Sequence, residues 1–96
     1  MQAAVALQVL PSVADKKEVV RVVDEVIAYI DSTGVNYEVA PFETTMEGDL
    51  DKLLDIVKEA QKIVIREGAP SVMSYVKINY GENILSTEEK IGKYRK

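Results

Sequence analysis

Glu43, Thr44, Thr45 and Glu47 crowd one short segment that is flanked by Tyr37 and Phe42. A turn between two strands does not need four hydrogen-bonding side chains. A threonine hydroxyl both donates and accepts, and an ionised carboxylate accepts from an amino group. A carboxylate also faces a cation well, and an aromatic ring offers its face to a cation or to a second planar ring. A few placed polar groups in an otherwise apolar cleft are what small-molecule sites use. The segment is therefore the candidate ligand-binding element: Tyr37, Phe42, Glu43, Thr44, Thr45 and Glu47. Strand alternation divides it, with Glu43, Thr45 and Glu47 on one face and Phe42, Thr44 and Met46 on the other. One pocket takes both sets only where a bulge near Pro41 or a subunit boundary intervenes. Purely structural roles stand beside these. The threonines suit a strand, Glu47 suits the start of a helix, Gly48 suits a turn with positive φ, and Tyr37 suits a core position with a wet hydroxyl.

Glu43 and Glu47 are also the only obvious acid/base pair in that segment. The chain has no histidine and no cysteine. This removes imidazole and thiolate chemistry, disulfides and the usual zinc ligands, and with them the commonest general base near neutral pH. No nucleophile signature or calcium-loop spacing occurs, so neither a catalytic set nor a metal site is expected. The 96 residues are 47% hydrophobic and 29% charged, with a formal net charge of −4. That is the composition of one globular domain, 1–96. Its lysines and arginines are scattered, so nucleic acid is not an expected partner. No apolar run approaches the roughly 20 residues of a membrane span. "AAVALQVL" lacks a basic leader and is broken by Gln8, so it reads as a strand and not a signal peptide. A cytoplasmic protein is expected, in keeping with the absence of cysteine.

The elements that must position the segment follow from periodicity. Ala3 to Leu10 alternates, with Val5, Leu7 and Val9 on one side and Ala4, Ala6, Gln8 and Leu10 on the other. Val19, Val22, Val23, Val26, Ile27 and Ile30 recur at helical spacing, with Asp15 as N-cap and Gly34 as the stop. Val35 to Ala40 and Phe42 to Glu47 read as strands broken at Pro41. Asp49 caps a second helix with Leu50, Leu53, Leu54, Val57, Ala60 and Val64 as its apolar face, closed by Gly68 and Pro70. Ser71 to Tyr80 is a fourth strand, with Val72, Ser74, Val76, Ile78 and Tyr80 on one face and Met73, Tyr75 and Lys77 on the other. Ser86 and Glu89 have capping-box spacing, which predicts a short C-terminal helix. The order βαββαβ with right-handed crossovers is an α+β, ferredoxin-like sandwich: an antiparallel sheet with both helices on one face.

Such a sheet leaves its other face bare. The expected members, Ala4, Ala6, Gln8, Leu10, Met73, Tyr75 and Lys77, are too apolar for a fully wet surface, which predicts that a second subunit covers them. Among the candidate ligand residues, Thr45 and Glu43 are placed on this open face, with Thr44 as second choice.

The segment "GVNYEVAPFETTMEGD" resembles the thiamine-binding protein family. Gly34, Tyr37, Glu38, Pro41, Thr44, Glu47 and Gly48 match the family pattern in order, and "VALQVLP" and "EEKIGKYR" extend the likeness over nearly the whole chain. One departure is visible: many members carry an acidic residue and an arginine at the end of the fourth strand, where this chain has Asn79-Tyr80-Gly81. The resemblance implies a ferredoxin-like fold, assembly into dimers through the sheets and often tetramers, and thiamine or a related pyrimidine as ligand near subunit interfaces. No cofactor beyond such a ligand is implied. The expected function is non-catalytic binding of thiamine or a related pyrimidine in vitamin salvage, carriage or sensing. The alternatives are a homo-oligomeric assembly module without a vitamin and, third, a carboxylate-dependent enzyme.

Overall fold

The computed structural model describes residues 2–82. The elements are β1 (Gln2–Pro11), α1 (Lys16–Ser32), β2 (Asn36–Val39), β3 (Thr44–Gly48), α2 (Leu50–Arg66) and β4 (Val72–Gly81). They form one antiparallel sheet in the order β2-β3-β1-β4, the ferredoxin-like arrangement. The expected C-terminal helix lies outside the described residues.

Both helices begin where an aspartate can hold their first turn. The Lys17 backbone N–H donates to Asp15 Oδ1 at 2.8 Å, and that of Lys52 to Asp49 Oδ2 at 3.2 Å; such caps satisfy donors that no helical carbonyl can reach. Helix α1 closes through Gly34, whose φ of 79° is the left-handed conformation that glycine adopts without penalty. The two helices are tied together by Arg21, which donates to the Glu67 carboxylate at 2.7 Å and to its backbone carbonyl at 2.8 Å.

The core is the seam between the helices and one sheet face. Ala3, Val5, Leu7 and Met46 of the strands meet Val22, Val26 and Ile30 of α1 and Leu53, Ile56, Ala60 and Val64 of α2. This corrects the expected apolar face of α2 at one position: Leu54 is 38% exposed, and Ile56 is buried in the core instead. Two strand limits also move. β2 is shorter than Val35 to Ala40, and β3 starts at Thr44, so Phe42 and Glu43 belong to the connection. The Ala40 N–H donates to the Glu43 carbonyl at 2.9 Å and closes that loop around Pro41. Residues 41–43 carry no sheet pairing because proline has no N–H to give the ladder.

Register assigns the other face. Ala4, Ala6, Gln8 and Leu10 stand opposite Asn79, Lys77, Tyr75 and Met73, and Ala4 and Ala6 stand opposite Glu47 and Thr45 on the other side. Directly paired residues share a face. The helix-free face is thus a floor of small alanines rimmed by polar and aromatic side chains. On the helix side, β4 runs beyond the cover of α2: Ile78 and Tyr80 are both 52% exposed although they share a face with the core.

Candidate functional site

The connection between β2 and β3 forms the mouth of an apolar cleft. Its walls are Leu7, Gln8, Val9 and Leu10 of β1, Val23, Val26, Ile27 and Ile30 of α1, and Val39 of β2; Ala40, Pro41, Phe42, Glu43 and Thr44 close one side. The cleft holds about 180 Å³. It exists because α1 is apolar over a wider stripe than the sheet covers. Val22, Val26 and Ile30 are buried, while Val23 and Ile27 flank them half-buried and face the cleft.

Thr44 supplies the polar group inside. It is 7% exposed, the one buried polar residue among those described. Its hydroxyl makes no hydrogen bond with any described residue. No buried, unpartnered side-chain nitrogen or oxygen occurs among the described residues, so the hydroxyl is not sealed away, and Thr44 is part of the cleft lining. A hydroxyl at the wall of an apolar cleft, with both donor and acceptor capacity unspent, is a ready contact for a polar ligand edge. Phe42 stands at the mouth, 79% exposed.

The remaining expected residues are distributed around this point. Glu43 touches the cleft, but its carboxylate is turned to the helix-free face, where Lys77 Nζ meets Oε1 at 3.0 Å. Thr45 and Glu47 stand half-buried on that same helix-free face, opposite Ala6 and Ala4. Tyr37 is on the helix side, paired with Met46, and is not part of the cleft wall. Its hydroxyl donates to Asp31 Oδ1 at 2.9 Å. That hydrogen bond, then desolvation and the neighbouring charge, hold the phenol above its ordinary pKa. The structure therefore places Phe42 and Thr44 at the cleft, while the Glu43 carboxylate turns to the helix-free face, where Thr45 and Glu47 stand. Tyr37 and Tyr75 lie on opposite faces and do not enclose one ring between them. The cleft walls Val23, Ile27 and Val39 went unread in the sequence as site residues. The available signal was the width of the α1 stripe, which extends past what one sheet face can bury.

Among the described residues there is no group of three or more side chains able to hold a metal ion, and no helix is long and apolar enough to cross a membrane.

A family model with the description "Thiamine-binding protein" matches residues 5–95. A UPF0045 protein of Clostridium perfringens is 57% identical over 91 residues, 95% of each chain. Among solved structures, a domain of unknown function (DUF77) from Bacillus cereus is 42% identical with a TM-score of 0.88, covering 99% of this chain and 91% of its own. A candidate thiamine biosynthesis/salvage protein from Thermotoga maritima is 33% identical with a TM-score of 0.88, covering 99% of this chain and 100% of its own.

Proposed function

The chain belongs to the thiamine-binding protein family, and on that premise we propose that it binds thiamine or a related pyrimidine through the segment from Phe42 to Thr44, without converting it. The observation that carries this reading is the Thr44 hydroxyl, buried and unbonded at the wall of an apolar cleft. An aminopyrimidine has ring nitrogens that accept and an amino group that donates, and one hydroxyl can serve either. The segment offers no imidazole or thiol, and its carboxylate Glu43 is engaged by Lys77, which favours binding over catalysis. The role is vitamin salvage, carriage or sensing in the cytoplasm.

Self-association belongs to the same proposal. Along β4, Met73 and Tyr75 on the helix-free face and Val76, Ile78 and Tyr80 on the other are large, apolar or aromatic, and exposed. An edge strand so furnished is a template for pairing or stacking. We assign the helix-free face, with Ala4, Ala6, Gln8, Met73 and Tyr75, to a homo-oligomer of dimers or tetramers. The same row favours a second reading, an assembly module that holds no vitamin.

Native mass spectrometry of freshly purified protein separates the two. The binding reading expects assembled subunits that carry, or take up on addition, a thiamine-sized or pyrimidine-sized mass. Assembled subunits that stay ligand-free at millimolar thiamine would leave only the assembly module.

A further inference from the structure

On the helix side of β4 the cover fades along the strand. Val72 and Ser74 are half-buried, whereas Val76, Ile78 and Tyr80 are exposed. Their partners on β1 behave differently: Leu7, Val5 and Ala3 are all buried. The difference has a geometric cause. β3 and β4 both run antiparallel to β1, so α2, which joins them, returns antiparallel to β4. The Ser74 hydroxyl donates to Gln61 Oε1 at 2.6 Å and fixes the relative level of the two elements. Leu54 stands two turns before Gln61, about 10 Å along the helix, and is itself partly exposed. It is the rim of α2 at the level of Val76 and Ile78, and the outer row of β4 lies past that rim.

We propose that the chain's own residues 84–94 cover Val76, Ile78 and Tyr80, folding back from the end of β4 as one short helix. An apolar row of this kind gains from removal from water. The strand ends at Gly81, whose φ of 154° strains any residue with a side chain and suits a change of direction. Beyond it, Ser86 and Glu89 have capping-box spacing, and Ile91 and Tyr94 follow three apart, on one side of a helix. A helix from Thr87 to Tyr94 is about 12 Å long. The row from Val76 to Tyr80 is about 13 Å long, so the one spans the other. The intervening residues 82–86 are a connection of ordinary length. Charge agrees with this placement. Residues 83–96 carry four lysines and arginines against two glutamates, while residues 1–82 carry eight basic against fourteen acidic side chains; a basic segment is drawn to an acidic body. Tethering favours this occupant over a separate molecule, because a short linker holds it at an effective concentration on the order of millimolar. The helix-free side of β4 stays open to a second copy, since successive side chains point to opposite faces.

The test is methyl NMR on the whole chain, labelled at isoleucine and valine, with a neutral gadolinium chelate in the solvent. Val20, exposed on α1, is the reference. The chelate should relax the methyls of Val76 and Ile78 several-fold less than those of Val20, although residues 2–82 by themselves leave Ile78 nearly as open as Val20. Ile91→Ser combined with Tyr94→Ser should raise both to the level of Val20. Refolding the labelled double variant together with unlabelled wild type should leave them there, because each chain covers its own row. Equal relaxation of Val20 and Ile78 in the wild type would overturn the proposal, and that comparison stands whatever the variant does. Protection that survives both substitutions would give the row to the body of a second copy. Protection restored by the unlabelled wild type would mean that the segment comes from a neighbouring chain, which would overturn its delivery by the chain's own end.

Discussion

Lys77 on β4 and Glu43 in the connection before β3 form an ion pair of 3.0 Å across the intervening strand β1. The bridge is sterically open because Lys77 stands opposite Ala6, whose methyl leaves room above the sheet. It fixes the direction of the Glu43 carboxylate, away from the cleft that Glu43 also touches. In a solvated chain such a pair is worth at most about 1 kcal/mol. If a second subunit covers the helix-free face, water is excluded and the coupling rises. A double-mutant cycle with Glu43→Gln and Lys77→Met, read from denaturant unfolding of the assembled protein, should therefore give more than about 1.5 kcal/mol, above the exposed range. A smaller value would mean that the face is wet.

The same face predicts an assembly defect. Tyr75, 58% exposed on the helix-free face, would bury its substituent against a second copy. Tyr75→Lys places an unpaired charge there, at a cost of several kcal/mol. Lys62→Glu, on the exposed side of α2, changes charge without touching either sheet face. Sedimentation should show dissociation for the first variant and the wild-type species for the second; an intact oligomer in Tyr75→Lys would remove that face from the interface.

The core assignment of α2 makes a sharper comparison. Ile56 is buried against the sheet and Leu54 is 38% exposed. Ile56→Ala should cost about 2–5 kcal/mol in chemical unfolding, and Leu54→Ala should cost clearly less because its cavity opens to water. The reverse order would mean that the helix is rotated about its axis.

These positions show what was legible in the sequence and what was not. The strand and helix order was legible because the periods are clean: Val5 and Leu7 alternate with Ala4 and Ala6, and Asp15 and Asp49 stand immediately before helical patterns. The open face was legible for the same reason, since Gln8, Tyr75 and Lys77 fall on it by alternation alone. Leu54 was misread because a helix carries apolar residues on a broad stripe, and only packing decides which edge of the stripe is buried. The start of β3 was misplaced because Phe42 and Glu43 have strand-like identities, while Pro41 and the Ala40–Glu43 turn keep them out of the ladder. The candidate site was half legible. The polar cluster announced itself, and alternation separated Thr44 from Thr45. The cleft beside Thr44 did not announce itself, because Val23 and Ile27 look like ordinary core residues until the sheet's edge is known.

Tyr37 offers a spectroscopic check on the end of α1. Its hydrogen bond to Asp31 raises the phenol pKa above the ordinary 10.0. A raised folded-state pKa means the bond stabilises the fold below the ordinary tyrosine range, and that contribution fades as pH climbs through the higher folded-state value. Tyrosinate absorbance should show the Tyr37 phenol titrating above the ordinary range in the wild type and closer to it in Asp31→Ala, which removes the acceptor. The wild-type advantage over Tyr37→Phe should be constant from neutral pH to about pH 9 and shrink above pH 10. An unchanged titration in Asp31→Ala would remove the contact.

The most direct measurement is titration calorimetry of thiamine into the wild-type protein and Thr44→Val, with the ligand recovered and analysed afterwards. Binding through the cleft predicts saturable heat with the wild type, a loss of about 1–3 kcal/mol in binding free energy for the variant, and thiamine returned chemically unchanged. No heat from the wild type at millimolar thiamine, or a ligand that comes back altered, would contradict it.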